Sequence, residues 1–228
     1  MTQETIFKVA PSGLDYALKC KRCLWLSHHG IKLDAFFPPI FNAFDLIQKK
    51  FLITQSVKLM SKALPDGRIM TELSGFIGSS TLKDKKGRSF MIRGKTDVVV
   101  EFKTSPKKYG IIDLKTTNIN PSKIENYKLQ LESYATIFQN PNSKTPKFSD
   151  IEELGLYLFE PKEITEISKG SCNMKFETLY LKGSRCHSEL IKRVTEIIDI
   201  YLMEKPPEYN LACASCKFVS SLKKEKYI

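Results

Sequence analysis

The chain has 228 residues, enough for one substantial core, and no Pro/Gly/Ser-rich linker divides it, so one domain with terminal additions is expected. Thirty-six lysines and arginines against 25 aspartates and glutamates leave a net charge of +11, which favours a polyanionic partner, either nucleic acid or an anionic membrane surface. The opening MTQETIFKVAPSG has neither a basic nor an apolar leader region, and no run approaches the roughly 20 apolar residues of a spanning helix, so a cytoplasmic protein without a membrane role is expected.

In chain order, Cys20-Lys-Arg-Cys23 comes first, followed by Trp25 and the histidine pair of SHHG. Residues 40 to 62 have helical periodicity, and LPDG supplies a stop signal. Three strand-like runs follow at 73–82, 89–102 and 110–117, separated by the polar turns KDKKGR and TSPKK, and they read as an antiparallel meander. PSKIENYKLQLESYATIFQN then opens with Pro and Ser and carries an apolar helical stripe. Residues 153–160 and 174–182 alternate like strands, 184–203 return to helix, and CASCKF begins a short tail element. The order predicts an α+β fold, a mixed central sheet flanked by helices.

Two of the strand-like runs carry charge where a half-buried strand should be apolar. Side chains alternate faces along a strand, so Asp113 and Lys115 of IIDLKTT point one way, and Ile112, Leu114 and Thr116 the other. A hairpin through TSPKK would bring Asp97 laterally within reach of both. Two carboxylates at close range repel unless a divalent cation lies between them, and hard oxygen ligands of this kind suit Mg²⁺ or Mn²⁺. A lysine beside such an ion can orient the attacking water and stabilise developing negative charge, which suits phosphodiester hydrolysis. The plainer alternative is an exposed Asp113–Lys115 ion pair on an ordinary hairpin.

Gly94-Lys95-Thr96-Asp97, Asp113-Leu114-Lys115 and Gln130-Leu-Glu-Ser-Tyr134, in that order, resemble the PD-(D/E)xK nuclease superfamily, specifically its RecB-like branch. The chain is similar to the iron-sulfur exonucleases associated with CRISPR adaptation. The resemblance implies a restriction-endonuclease-like αβββαβ core over about residues 40–182. It also implies metal-dependent cleavage of DNA, single-stranded or end-containing, with protein partners in a repair or CRISPR-adaptation complex. Asp97 and Asp113 would hold the metal, Lys115 would assist water, and Gln130 and Tyr134, one helical turn apart, would support substrate and strand. Many members place a metal-binding histidine on the first helix. Here Gln48 is the best match to that position, with Asp45 the alternative, and a neutral amide there would make a weaker ligand. The missing histidine leaves open a second reading, a nuclease-derived DNA-binding or adaptor subunit.

Cys20/Cys23 and Cys213/Cys216 form two C-x-x-C units at opposite ends of the chain. Each offers two thiolates at metal-binding separation, and together they predict one site stapling segment 184–218 onto segment 12–30. The resemblance favours a [4Fe-4S] cluster; Zn²⁺ is the alternative, because both accept four thiolates. Arg93 and Lys95 on the strand leading to Asp97, the two lysine-rich turns and the tail KKEKYI are candidates to follow a phosphate backbone, and such contacts predict weak sequence specificity.

Overall fold

In the computed structural model, residues 5–14, 19–31, 38–70, 73 and 75–224 are described. The N-terminal stretch holds strand β1 (Phe7–Val9) and helix α1 (Lys21–His28), where the Cys20 sulfur accepts a bond from the Cys23 N–H at the helix start. Helix α2 (Pro39–Leu52) begins with proline in its first turn, where the missing N–H costs nothing. It ends ten residues short of the predicted stop at 62. Ser56 caps a separate 3-10 turn (Val57–Leu59), which together with Met60 and Leu64 packs onto the sheet as its own unit.

The main sheet has the order β2-β6-β7-β8-β9, built from Gly67–Ile69, Val98–Phe102, Tyr109–Thr116, Ile151–Ser168 and Ser171–Gly183. β7 and β8 are parallel and the other pairs antiparallel, so the sheet is mixed. The parallel pair needs a crossover, and helix α3 (Lys123–Gln139) supplies it. A second, smaller sheet joins β1, β3 (Ile77–Gly78) and β4 (Leu82–Lys83) to β5 (Ser89–Gly94). The predicted three-stranded meander therefore divides. The run 89–102 breaks at residues 95–97 and passes from one sheet to the other, and the run 73–82 contributes only short partners of β5. Strands β1 and β2, three residues each, carry too little pattern to be read ahead of the structure.

Alternation sorts the core into two layers. Val98, Val100, Phe102, Ile112 and Leu114 pack with Leu52, Val57, Met60 and Leu64 on one face. Val99, Ile111 and Leu154 pack with Leu131, Tyr134, Ala135 and Phe138 of α3 and with Leu190, Val194 and Ile197 of α4 (His187–Tyr201) on the other. Buried Glu132 of α3 accepts two bonds from Arg185 at 2.8 and 2.9 Å and one from the Cys186 N–H at 3.0 Å, which fastens the start of α4. β8 runs on to Ser168, well past its predicted end at 160, and β9 begins at Ser171, slightly ahead of its predicted start at 174, so that the two form an exposed arm. Outside the core nothing enforces alternation, so the arm has no readable stripe, and its pairing shifts just after Pro161, which has no N–H to give. The last helix, α5 (Ala214–Lys224), returns to the N-terminal segment. Among the described residues no helix is long and apolar enough to cross a membrane.

Candidate active site

The register of the β6–β7 hairpin pairs Val98 with Ile112, which puts Asp97 across from Asp113 as the sequence predicts. Asp97, at the bend between the two sheets, is held by the Leu114 N–H, which donates to its Oδ2 at 2.9 Å. Asp113, only 2 % exposed, receives the Gln130 amide on Oδ1 at 2.9 Å. The Lys115 ammonium lies 2.5 Å from Asp113 Oδ2, a charge contact outside hydrogen-bond geometry. Burial pushes the Asp113 carboxyl up to about 7; Lys115 pulls it down, and neighbouring Asp97 pushes it up again. Lys115 stays charged despite its burial, because Asp113 and Asp97 raise its pKa.

Gln130 and Tyr134 act as a pair one turn apart. The Gln130 amide also donates to the Tyr134 hydroxyl at 3.2 Å, and that hydroxyl donates to the Lys95 carbonyl at 2.8 Å. The backbone just ahead of Asp97 is thereby tied to α3. Gly94 makes the approach possible, since a Cβ there would lie 2.8 Å from Pro11 and 3.1 Å from the Tyr134 ring.

Helix α2 closes the other side. Phe41 and Phe51 are exposed, whereas Gln48 and Leu52 are buried. Gln48 lines the cleft, but its amide donates to Thr116 Oγ1 at 2.9 Å. The group from α2 that meets a site carboxylate is Lys49, with Nζ 2.7 Å from Asp97 Oδ1 and 2.8 Å from Asp45. Nothing in FDLIQKKFL marked Lys49 as inward; its i,i+4 spacing from Asp45 was the one available signal. Asp45, Gln48, Lys49, Asp97, Lys115 and Thr116 line an open cleft of about 510 Å³, with Lys95 at its rim.

The remaining basic candidates separate. Arg93 is exposed, its guanidinium 4.9 Å from the centre of the Phe76 ring, which is itself 72 % exposed. The first lysine-rich turn is committed to structure: Arg88 and Lys86 pair with Asp84 and Asp199. Lys107 and Lys108 of the second pair with Glu101 and Glu152. Of the tail KKEKYI, residues 225–228 lie outside the described residues. His28 stacks on Tyr201, and His29 on Trp25, whose indole N–H donates to the Met203 carbonyl at 2.8 Å, so this aromatic group packs at the surface.

The four paired cysteines meet, as their spacing predicts. Their sulfurs all lie within 4.8 Å of one another, with Cys20–Cys216 at 3.4 Å and Cys23–Cys213 at 3.6 Å. Backbone N–H donors, first that of Cys216, hold the Cys213 thiol down at about 7, while burial raises Cys20 and Cys23. Cys172 and Cys186 stand outside the group.

A mixed sheet with a paired aspartate and lysine at the bend of its central hairpin, backed by a Gln-Tyr helix, defines a nuclease-type α+β protein. A model of the PD-(D/E)XK nuclease superfamily matches residues 47–221, and the chain belongs to that superfamily, whose fold implies metal-dependent hydrolysis of phosphodiesters in nucleic acid. Among solved structures, one titled "Crystal structure of SSO0001" superposes with a TM-score of 0.54, over 96 % of this chain and 86 % of that one, at 13 % identity, a likeness of fold alone. No curated protein matches the chain.

Proposed function

We propose that the chain is a single-domain deoxyribonuclease of the RecB-like branch, dependent on Mg²⁺ or Mn²⁺ and similar to the exonucleases associated with CRISPR adaptation. The observation that carries this is the convergence of Asp97, Asp113, Lys115 and Gln130, with Asp97 and Lys115 lining one cleft and Asp113 and Gln130 buried behind them. The donor set fits the ion: two carboxylates face one another, and one of them, Asp113, is pushed up to about 7 by its burial and by its neighbour Asp97 despite the lysine beside it. Asp97 and Asp113 would hold the cation, which when bound polarises the phosphodiester and makes its bound water more acidic. Gln130 fixes the Asp113 carboxylate, and Tyr134 fixes the strand that carries Asp97. Lys115 orients the attacking water and stabilises charge developing on the phosphoryl oxygens.

Lys95 at the rim and Arg93 beyond it suit phosphates, contacts that carry no base information and so support weak sequence specificity. The exposed Phe76 ring beside Arg93 offers an unpaired base a stacking face, which supports single-stranded or end-containing DNA as substrate. Incubated with end-labelled single strands, the protein is expected to shorten them from an end only when Mg²⁺ or Mn²⁺ is present, and to spare closed circles. Salt-sensitive DNA binding without cleavage in either ion would instead support an adaptor subunit, a reading favoured by the lysine already seated on Asp97.

At the cysteines the resemblance implies [4Fe-4S], but the sulfur distances support a different occupant. Four thiolates about 2.3 Å from one tetrahedral ion stand about 3.8 Å apart. A cubane binds each thiolate to a different iron and spreads them further. We take Zn²⁺ as the occupant that these distances fit best, three of the six sulfur pairs lying at 3.4–3.9 Å and all within 4.8 Å. Anaerobically purified protein is expected to contain one zinc per chain and no visible absorption band; a broad band near 400 nm that bleaches with dithionite, as iron-sulfur charge transfer does, with iron in place of zinc, would decide for the cluster.

A further inference from the structure

Every carboxylate oxygen of the aspartate pair already has an N–H donor or a lysine ammonium of the chain beside it. Leu114 N–H and Gln130 take one oxygen each, and Lys115 sits against a third. These come from β7 itself and from α3. The fourth, Asp97 Oδ1, is occupied by Lys49 from α2. Lys49 differs from the others in having a second carboxylate, that of Asp45 one helical turn before it, equally close at 2.8 Å. The Asp45 side chain is 47 % exposed and that of Asp97 15 %, so the ammonium spans the rim and the floor of the cleft. The cleft is lined by two carboxylates (Asp45 and Asp97) and three lysines (Lys49, Lys95 and Lys115), and a third carboxylate, buried Asp113, lies behind the lining against Lys115. With all six ionised their charges cancel before any metal arrives.

We propose that Lys49 is an internal counter-ion that competes with the divalent cation for Asp97, and that Asp45 receives its ammonium when the cation binds. The proposal rests on Asp97 and Asp113 being the cation site. No proton moves: Lys49 stays charged and exchanges one carboxylate for the other. Adding two positive charges to a neutral cleft is then favourable only once Lys49 has left Asp97, or once a phosphate brings further negative charge. Metal binding and DNA binding therefore strengthen each other, as linkage requires. The free protein binds metal weakly, and the DNA complex binds it well.

Mn²⁺ binding to DNA-free protein, followed by the electron paramagnetic resonance of the free ion, tests this without reference to activity. Lys49→Met is expected to bind Mn²⁺ about tenfold more tightly than wild type, since it removes one competing charge at close range. Asp45→Asn is expected to bind more weakly, because the ammonium then has only Asp97. If Asp97→Asn abolishes binding while Lys49→Met leaves the wild-type affinity unchanged or lowers it, the counter-ion role is overturned and the cation site stands. If Asp97→Asn binds as well as wild type, the cation site falls and the proposal with it. Should Lys49→Met fail to fold, Asp45→Asn at the cleft rim decides: affinity equal to or tighter than wild type overturns the proposal.

Discussion

Replacing Lys115 with alanine is expected to slow DNA cleavage by about 10³-fold, the scale of removing a positioned group that handles the attacking water and its charge. Binding and folding should change little. The Lys115 side chain is 26 % exposed and its ammonium packs 5.2 Å from the Tyr127 ring, so truncation opens space toward the cleft rather than a sealed cavity. The partner left behind, Asp113, has a carboxyl already pushed up to about 7 by burial, and without the lysine it holds its proton more firmly instead of standing as an unpaired buried charge. On the proposed reading, DNA affinity would be set mainly by the rim cations and by phosphate contacts. Single-turnover cleavage in excess Mn²⁺, beside fluorescence anisotropy with the same oligonucleotide, separates the two. A variant that cuts at the wild-type rate removes Lys115 from the mechanism.

Asp113→Asn should have the second large effect, with opposite signs for activity and stability. Cleavage is expected to be lost, since on the proposed reading an amide would stand in place of a charged ligand. In chelator at pH 8, however, the variant is expected to melt several degrees above wild type, at roughly 2–4 °C per kcal/mol for a chain of this size. The sign follows from where the proton sits. In the unfolded chain an aspartate titrates near 4, whereas burial in the fold pushes Asp113 up to about 7. Between those values the folded wild type keeps a proton that the unfolded chain has released. The stability contributed by this group is therefore full below about pH 4 and is lost as the pH rises through 7. Asparagine has no such dependence. The gap between the two proteins should open from pH 4 to 7 and stay constant above. Equal melting temperatures at pH 8 would show that Asp113 is not strained by its burial.

The parts of the site that lie on regular elements were legible. Strand alternation placed Asp113 and Lys115 on one face, a short hairpin placed Asp97 opposite, and helical spacing placed Gln130 and Tyr134 together. Each of these follows from local geometry of fixed period. Lys49 was not legible, because a lysine among apolar residues reads as solvent-facing until α2 is docked and Asp97 is found beside it. The switch between sheets at residues 95–97 was hidden for a related reason: Lys95, Thr96 and Asp97 continue the two-residue alternation while the chain changes partners. The cysteine pairs announced that they would meet. Their sulfur spacing depends on how α1 and α5 approach and is a property of the assembled fold.

The clasp between Cys20/Cys23 and Cys213/Cys216 joins segments 190 residues apart. With an ion seated there, the chain between them would become a ring. Tension drawing the two cysteine segments apart would load the metal–sulfur bonds first, and the sheet would bear force only after a thiolate let go. Removal of the ion would open the ring and pass that force directly to the sheet.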